Sequence, residues 1–87
     1  MSVIFPNSKE LCASIAAHPR VSEDPGLSKN PVIKGVAKFV AGREIRANDF
    51  APLRLRVVNA LAGTGLRGKP LDNRVDRLMD ALRAIGR

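Results

Sequence analysis

The sequence has no tryptophan and no tyrosine, only three phenylalanines (Phe5, Phe39 and Phe50), and a single cysteine, Cys12. One thiol excludes an internal disulfide and a cysteine-built metal cage. So few aromatics argue against the stacked-base platforms that hold single-stranded nucleic acid. Long apolar runs are missing too. The best of them, Leu11 to Ala17, is broken by Ser14, far short of the roughly 20 residues that a membrane-spanning helix needs. No basic stretch precedes an apolar one at the N-terminus, so no signal peptide is expected. The expected location is the cytoplasm of a bacterial host, with no membrane partner. Acid is the last scarcity: 8 Asp and Glu stand against 15 Lys and Arg, a net charge of +7.

The surplus is concentrated. Between Leu27 and Lys69 lie nine basic residues and two acids, Glu44 and Asp49, so this stretch carries the whole +7 while the flanks cancel. A basic centre between neutral ends points to an acidic partner, either an acidic protein surface or phosphate. The chain is 87 residues long with an ordinary 45% of apolar residues, which predicts one small domain over residues 1–87. With no disulfide or metal, that domain depends on its apolar core, for which Phe39 and Phe50 are the expected anchors.

Local patterns predict the elements. Residues 7–18 read as a short helix, with Asn7 or Ser8 as cap, Leu11 and Ile15 as an i, i+4 pair, and Pro19 as the stop. His18, with no partner group in view, reads as a surface residue at the helix end. Residues 19–31 contain three prolines and Asp24-Pro25-Gly26, and read as a connecting loop. Residues 32–47 are two-sided. A helix would use Asn30 as cap and Pro31 in the first position, with Val32, Val36, Phe39 and Val40 on one face. A hairpin would pair Val32–Val40 with Arg43–Ala47 around Ala41-Gly42. Four β-branched residues in nine, together with Gly35, favour the hairpin. That pairing sets Phe39 opposite Ile45 and places Lys38 beside Arg46.

Two helices are expected to follow. In the first, Asp49 caps, Pro52 falls in the first turn, and Phe50, Leu53, Val57 and Leu61 share a face until Gly63. Its run Leu53-Arg54-Leu55-Arg56-Val57 also alternates like a strand, and Arg54 and Arg56 fall on different sides of a helix. In the second, Leu71, Val75, Leu78, Leu82 and Ile85 recur at spacings of four and three. Asp72, Asp76 and Asp80 occupy its first half, Arg83 and Arg87 its end, and Gly86 is the expected stop. The fold class expected is α+β: an antiparallel hairpin or small sheet packed by two C-terminal helices, with a short N-terminal helix. An all-α bundle is the alternative.

Chemistry-bearing motifs are few. Gly63 to Lys69 contains G-x4-G-K, but Pro70 stands where a phosphate-binding loop needs Ser or Thr, and a helix is predicted where that loop needs a strand. A basic connector is the better reading, in which Arg67 and Lys69 could at most hold one phosphate. Asp72, Asp76 and Asp80 are interleaved with Arg74 and Arg77, as on a solvated helix face. No base accompanies Cys12 or the serines, so no nucleophile system assembles. The expectation is a protein that is not an enzyme and uses no cofactor or metal.

Residues 36–85 resemble a small phage-encoded anti-CRISPR protein of the type I-F class. The resemblance runs through Val36, Phe39-Val40-Ala41-Gly42-Arg43 and Ile45-Arg46-Ala47-Asn48-Asp49-Phe50. It continues through Leu61-Ala62-Gly63-Thr64-Gly65-Leu66 and Arg74-Val75, Leu78-Met79 and Leu82. It implies a strand, a glycine turn, a second strand and two helices, and an inhibitor that docks on a bacterial CRISPR surveillance complex and blocks target DNA binding. In that family the inhibitory surface uses tyrosines on the strands and a glutamate before the turn. This chain has no tyrosine and carries Ala37 near the glutamate's place, so those contacts do not carry over. The partner-binding candidates are instead the basic residues Lys34, Lys38, Arg43, Arg46, Arg54, Arg56, Arg67 and Lys69. The alternative reading of the same residues is a small basic DNA- or RNA-binding regulator, marked by steeply salt-dependent affinity.

Overall fold

Ser2, Val3 and Ile4 pair antiparallel with Arg46, Ile45 and Glu44, joining the N-terminus to the middle of the chain. The computed structural model describes residues 2–86, so Arg87 lies outside the described residues. In chain order its elements are β1 (Ser2–Ile4), α1 (Ser8–Ala17), α2 (Pro19–Ser22), α3 (Pro25–Ser28), α4 (Val32–Val40), β2 (Glu44–Arg46), a 3-10 turn (Ala47–Asp49), α5 (Phe50–Ala62) and α6 (Gly68–Ile85). A two-stranded antiparallel sheet with helices packed on it, the last two of them C-terminal, makes the class α+β.

α1 begins where Asn7 places its side-chain oxygen 2.9 Å from the Glu10 N–H, satisfying a donor that the helix leaves free. It ends at His18, whose extended backbone precedes Pro19. Residues 19–31, expected as a loop, instead form two single-turn helices, each opened by a proline in its first turn. His18 caps the first: its Nδ1 accepts from the Arg20 N–H at 3.2 Å. Asp24 caps the second by accepting from the Gly26 N–H at 3.0 Å. Val21 and Leu27, one from each turn, are fully buried. Proline here starts short helices as well as ending long ones.

The largest correction falls on residues 32–40, which are a helix and not the first strand of a hairpin. Asn30 accepts from the Val32 N–H at 3.0 Å, and Val32, Ile33, Val36, Ala37 and Val40 are all buried. Burying each of Val32, Ile33, Val36 and Val40 is worth about 1.5–3 kcal/mol, whereas a β-branched residue costs at most about 0.7 kcal/mol in a helix. Burial therefore wins. Gly35 faces solvent on the opposite side, where it costs helix propensity but no packing. β2 occupies most of the expected second strand, but its partner is β1, so Lys38 and Arg46 are not cross-strand neighbours. The turn between α4 and β2 uses Gly42 at φ +68°, and its N–H donates back to the carbonyls of Phe5 and Pro6.

α5 and α6 follow the sequence pattern closely. Leu53, Val57 and Leu61 are buried along α5, and Val75, Leu78, Met79, Ala81 and Leu82 along α6. Asp49 does not cap α5 through its side chain; it caps the preceding turn by accepting from the Arg46 N–H at 3.0 Å. The aromatic anchor of the core is Phe5, buried at 2% exposure, while Phe39 and Phe50 lie half-buried at its edge. α1 packs on α4 and α6, and α5 packs on α6. α4 also packs on α5, so it lies between α1 and α5.

Candidate basic docking face

Every buried side chain among the described residues is apolar, so all chemistry-bearing groups lie at the surface. The acids there are largely spent within the chain. Asp80 pairs with Arg20 at 3.1 Å, Asp76 with Arg54 at 2.8 Å, Asp24 with Arg74 at 3.2 Å and Glu23 with Arg77 at 3.6 Å. The exposed pairs among them are worth about 0–1 kcal/mol each, whereas Asp24–Arg74 is part-buried. They matter more for what they leave over: the charge on and around α2, α3 and α6 is neutralised, and the excess is carried elsewhere.

All eight basic candidates are exposed, but the structure does not gather them into one patch. Arg43, just before β2, and Arg56, on α5, converge on the Phe39 ring of α4, with guanidinium carbons 5.0 and 3.8 Å from its centre. Neither arginine is in an ion pair among the described residues. Lys34 and Lys38, one turn apart on α4, instead border a separate groove against α1. Arg54 turns to the other side of α5 and is neutralised by Asp76. Arg46 ends β2 beside Ser2, Ala47 and Asn48. Arg67 and Lys69 sit at the start of α6. The G-x4-G-K run therefore follows helix α5, and its Gly68-Lys69-Pro70 portion is already the first turn of α6, without the strand-to-loop entry of a nucleotide-binding loop.

The Phe39 cluster borders an open groove of about 1100 Å³ between the C-terminal end of α4, β2 and α5. Ile45 and Leu53 form part of its floor, and Leu55 stands at its side with 61% of its surface exposed. Two carboxylates also line it, Glu44 and Asp49, but each is engaged. Glu44 accepts from the Ser2 hydroxyl at 2.7 Å, and Asp49 accepts from the Arg46 N–H. The groove thus combines an apolar floor with two guanidinium groups held in place on a ring. Leu55 and Phe39 are the members that sequence reasoning missed as surface residues. The signal for Leu55 was present in the alternation of residues 53–57: a helix that buries Leu53 and Val57 must turn Leu55 away from them.

Among the described residues, no three His, Cys, Asp or Glu side chains gather as a cation site, and no helix is long and apolar enough to cross a membrane.

No family model matches the chain, and no solved structure matches it. Over 68 residues it is 31% identical to the ATP-dependent Clp protease ATP-binding subunit ClpE of Lactococcus lactis subsp. lactis (strain IL1403). The match takes in 76% of this chain but 9% of that protein, so the chain spans a small part of the relative's length.

Proposed function

We propose that this chain is a non-enzymatic binding protein that acts by occupying a surface of a protein partner, using the face built from α4, β2 and α5. The observation that carries this reading is the pair Arg43 and Arg56 fixed on the Phe39 ring beside an apolar groove and an exposed leucine. Arginines and aromatics of this kind are the residues that dominate protein interfaces. Guanidinium groups already placed on a ring also lose less freedom when a carboxylate arrives. The partner that fits presents an apolar ridge flanked by acids.

A bacterial CRISPR surveillance complex is the partner to try first, because the resemblance over residues 36–85 points there. Helix α4 removes the first strand from that resemblance, but β2, Asp49-Phe50 and the two following helices keep their order. On this reading inhibition is steric: a small domain covers the surface that target DNA needs. No ATP chemistry is taken from the likeness to the ClpE subunit, which spans 9% of that protein; the G-x4-G-K run here follows helix α5 and continues into the first turn of α6.

The test is affinity capture by the tagged, full-length chain from bacterial lysate treated with nuclease, alongside Arg43→Glu/Arg56→Glu. Stoichiometric recovery of surveillance-complex subunits by the wild type and not by the variant supports the inhibitor. Recovery of another protein, again lost in the variant, keeps the binding role and changes the partner. Equal recovery by both chains overturns the site. Partners that vanish with nuclease, together with nucleic-acid affinity falling steeply with salt, replace the reading with the basic regulator.

A further inference from the structure

The groove on the other flank of α4 is independent of the Phe39 face and has a different character. α1 supplies Lys9, Cys12, Ala13 and Ala16, which lie along one side of that helix, and α4 supplies Lys34 and Lys38. The groove holds about 430 Å³, its three charged residues are all lysines, and no carboxylate lines it. Its floor is made of short side chains: Cys12 and Ala16 are half-buried, Ala13 is exposed, and the three lysines are exposed. Lys9 to Ala16 spans about two turns, or roughly 10 Å along the helix axis.

We infer that this groove is a docking site for an acidic amphipathic helix of another protein. Charge complementarity selects the sign: three ammonium groups with no acid among them are relieved by carboxylates along both edges of the incoming segment. Shape selects the helix. A floor of alanine and cysteine between longer lysines is recessed, and a ridge of small or leucine side chains fits such a channel. A flat lipid surface would meet the lysine heads first and leave the floor uncovered. A second copy of this chain is a poor occupant, because Asp76 and Asp80 of its most acidic helix are already held by Arg54 and Arg20.

Cys12, the sole thiol of the chain, provides the readout from the floor itself. The probe is a synthetic 18-residue helical peptide with a Leu/Ala stripe flanked by glutamates at i, i+4 spacing, and its Glu→Gln counterpart. The measurement is the rate at which N-ethylmaleimide alkylates Cys12 in the folded, full-length protein. The expected result is at least a fivefold slowing by the glutamate peptide, little slowing by the glutamine peptide, and loss of protection in Lys34→Glu/Lys38→Glu. Circular dichroism of that variant checks that α4 is intact. Equal protection by both peptides, peptide binding that leaves Cys12 unprotected, or no binding at millimolar peptide overturns the proposal. Protection by phosphatidylglycerol vesicles but not by the peptide overturns it in favour of a membrane surface.

Discussion

The guanidinium carbon of Arg56 lies 3.8 Å from the centre of the Phe39 ring, so a charge from α5 rests on an aromatic face from α4. Burial of the ring is incomplete, and the contact adds to the packing of α4 on α5. Cation–π contacts at exposed sites contribute about 0.5–1 kcal/mol. A double-mutant cycle of Phe39→Leu and Arg56→Gln, read by urea denaturation, is expected to show coupling of that size. Arg56→Lys should keep only part of it, since an ammonium group cannot stack flat on the ring. Coupling indistinguishable from zero would mean that the stacked arrangement is not maintained in solution.

Asp24 divides its carboxylate between two tasks. One oxygen accepts from the Gly26 N–H at 3.0 Å and the other from Arg74 Nε at 3.2 Å, tying α3 to α6 in a part-buried position. Asp24→Ala is expected to destabilise the protein by about 1–2 kcal/mol, combining a lost helix cap with a lost charged hydrogen bond. Asp24→Asn keeps a capping oxygen and should cost less. Gly26 supports the same arrangement: a Cβ there would come within 2.6 Å of Arg74 Nη2. Gly26→Ala must therefore displace the guanidinium, the far end of a flexible side chain, while gaining helix propensity. Thermal melts of all three variants should thus show Gly26→Ala costing less than Asp24→Ala.

Gly35 offers a test of helix α4 itself. It lies within the helix, and a Cβ added there meets nothing within 4 Å. Gly35→Ala should therefore stabilise the protein by about 0.8–1 kcal/mol, or roughly 4–8 °C in Tm for a domain of this size. Gly42, at φ +68° in the turn that follows, should respond in the opposite sense. There alanine costs about 1 kcal/mol or more, because the left-handed conformation crowds a Cβ. If these residues formed a hairpin, Gly35→Ala would not bring a helix-propensity gain.

These contrasts explain which parts of the fold the sequence revealed. α1, α5 and α6 were legible because their apolar spacing and their caps or glycine stops agree, as with Asn7 at the start of α1 and Gly63 and Gly86 at the ends of α5 and α6. α4 was not, because Val32, Ile33, Val36 and Val40 carry the chemistry of a strand and the spacing of a helix. Only the neighbours that bury them decide between the two. β1 escaped notice because a three-residue strand has no period to detect and its partner lies about forty residues away. The basic surplus was plain from the charges alone. Its division into a Phe39 face, a lysine groove and a neutralised Arg54 was not, since that depends on which helix faces each side chain meets.

Leu55 and Arg54 are adjacent in sequence and opposite in expected effect. Leu55 is 61% exposed beside the Phe39 groove, whereas Arg54 faces α6 and pairs with Asp76. Leu55→Glu keeps high helix propensity and removes little buried area, so its stability should stay within about 0.5 kcal/mol of wild type. It places a carboxylate next to the arginines that are proposed to receive one. Partner affinity is therefore expected to fall at least tenfold, about 1.4 kcal/mol. Arg54→Glu sets two acids against each other and should cost stability, up to about 1 kcal/mol, while leaving partner binding unchanged. Calorimetric titration of the captured partner with both variants, alongside their thermal melts, separates the two effects. Loss of binding in Arg54→Glu with retention in Leu55→Glu would move the docking face to the α5–α6 side of the molecule.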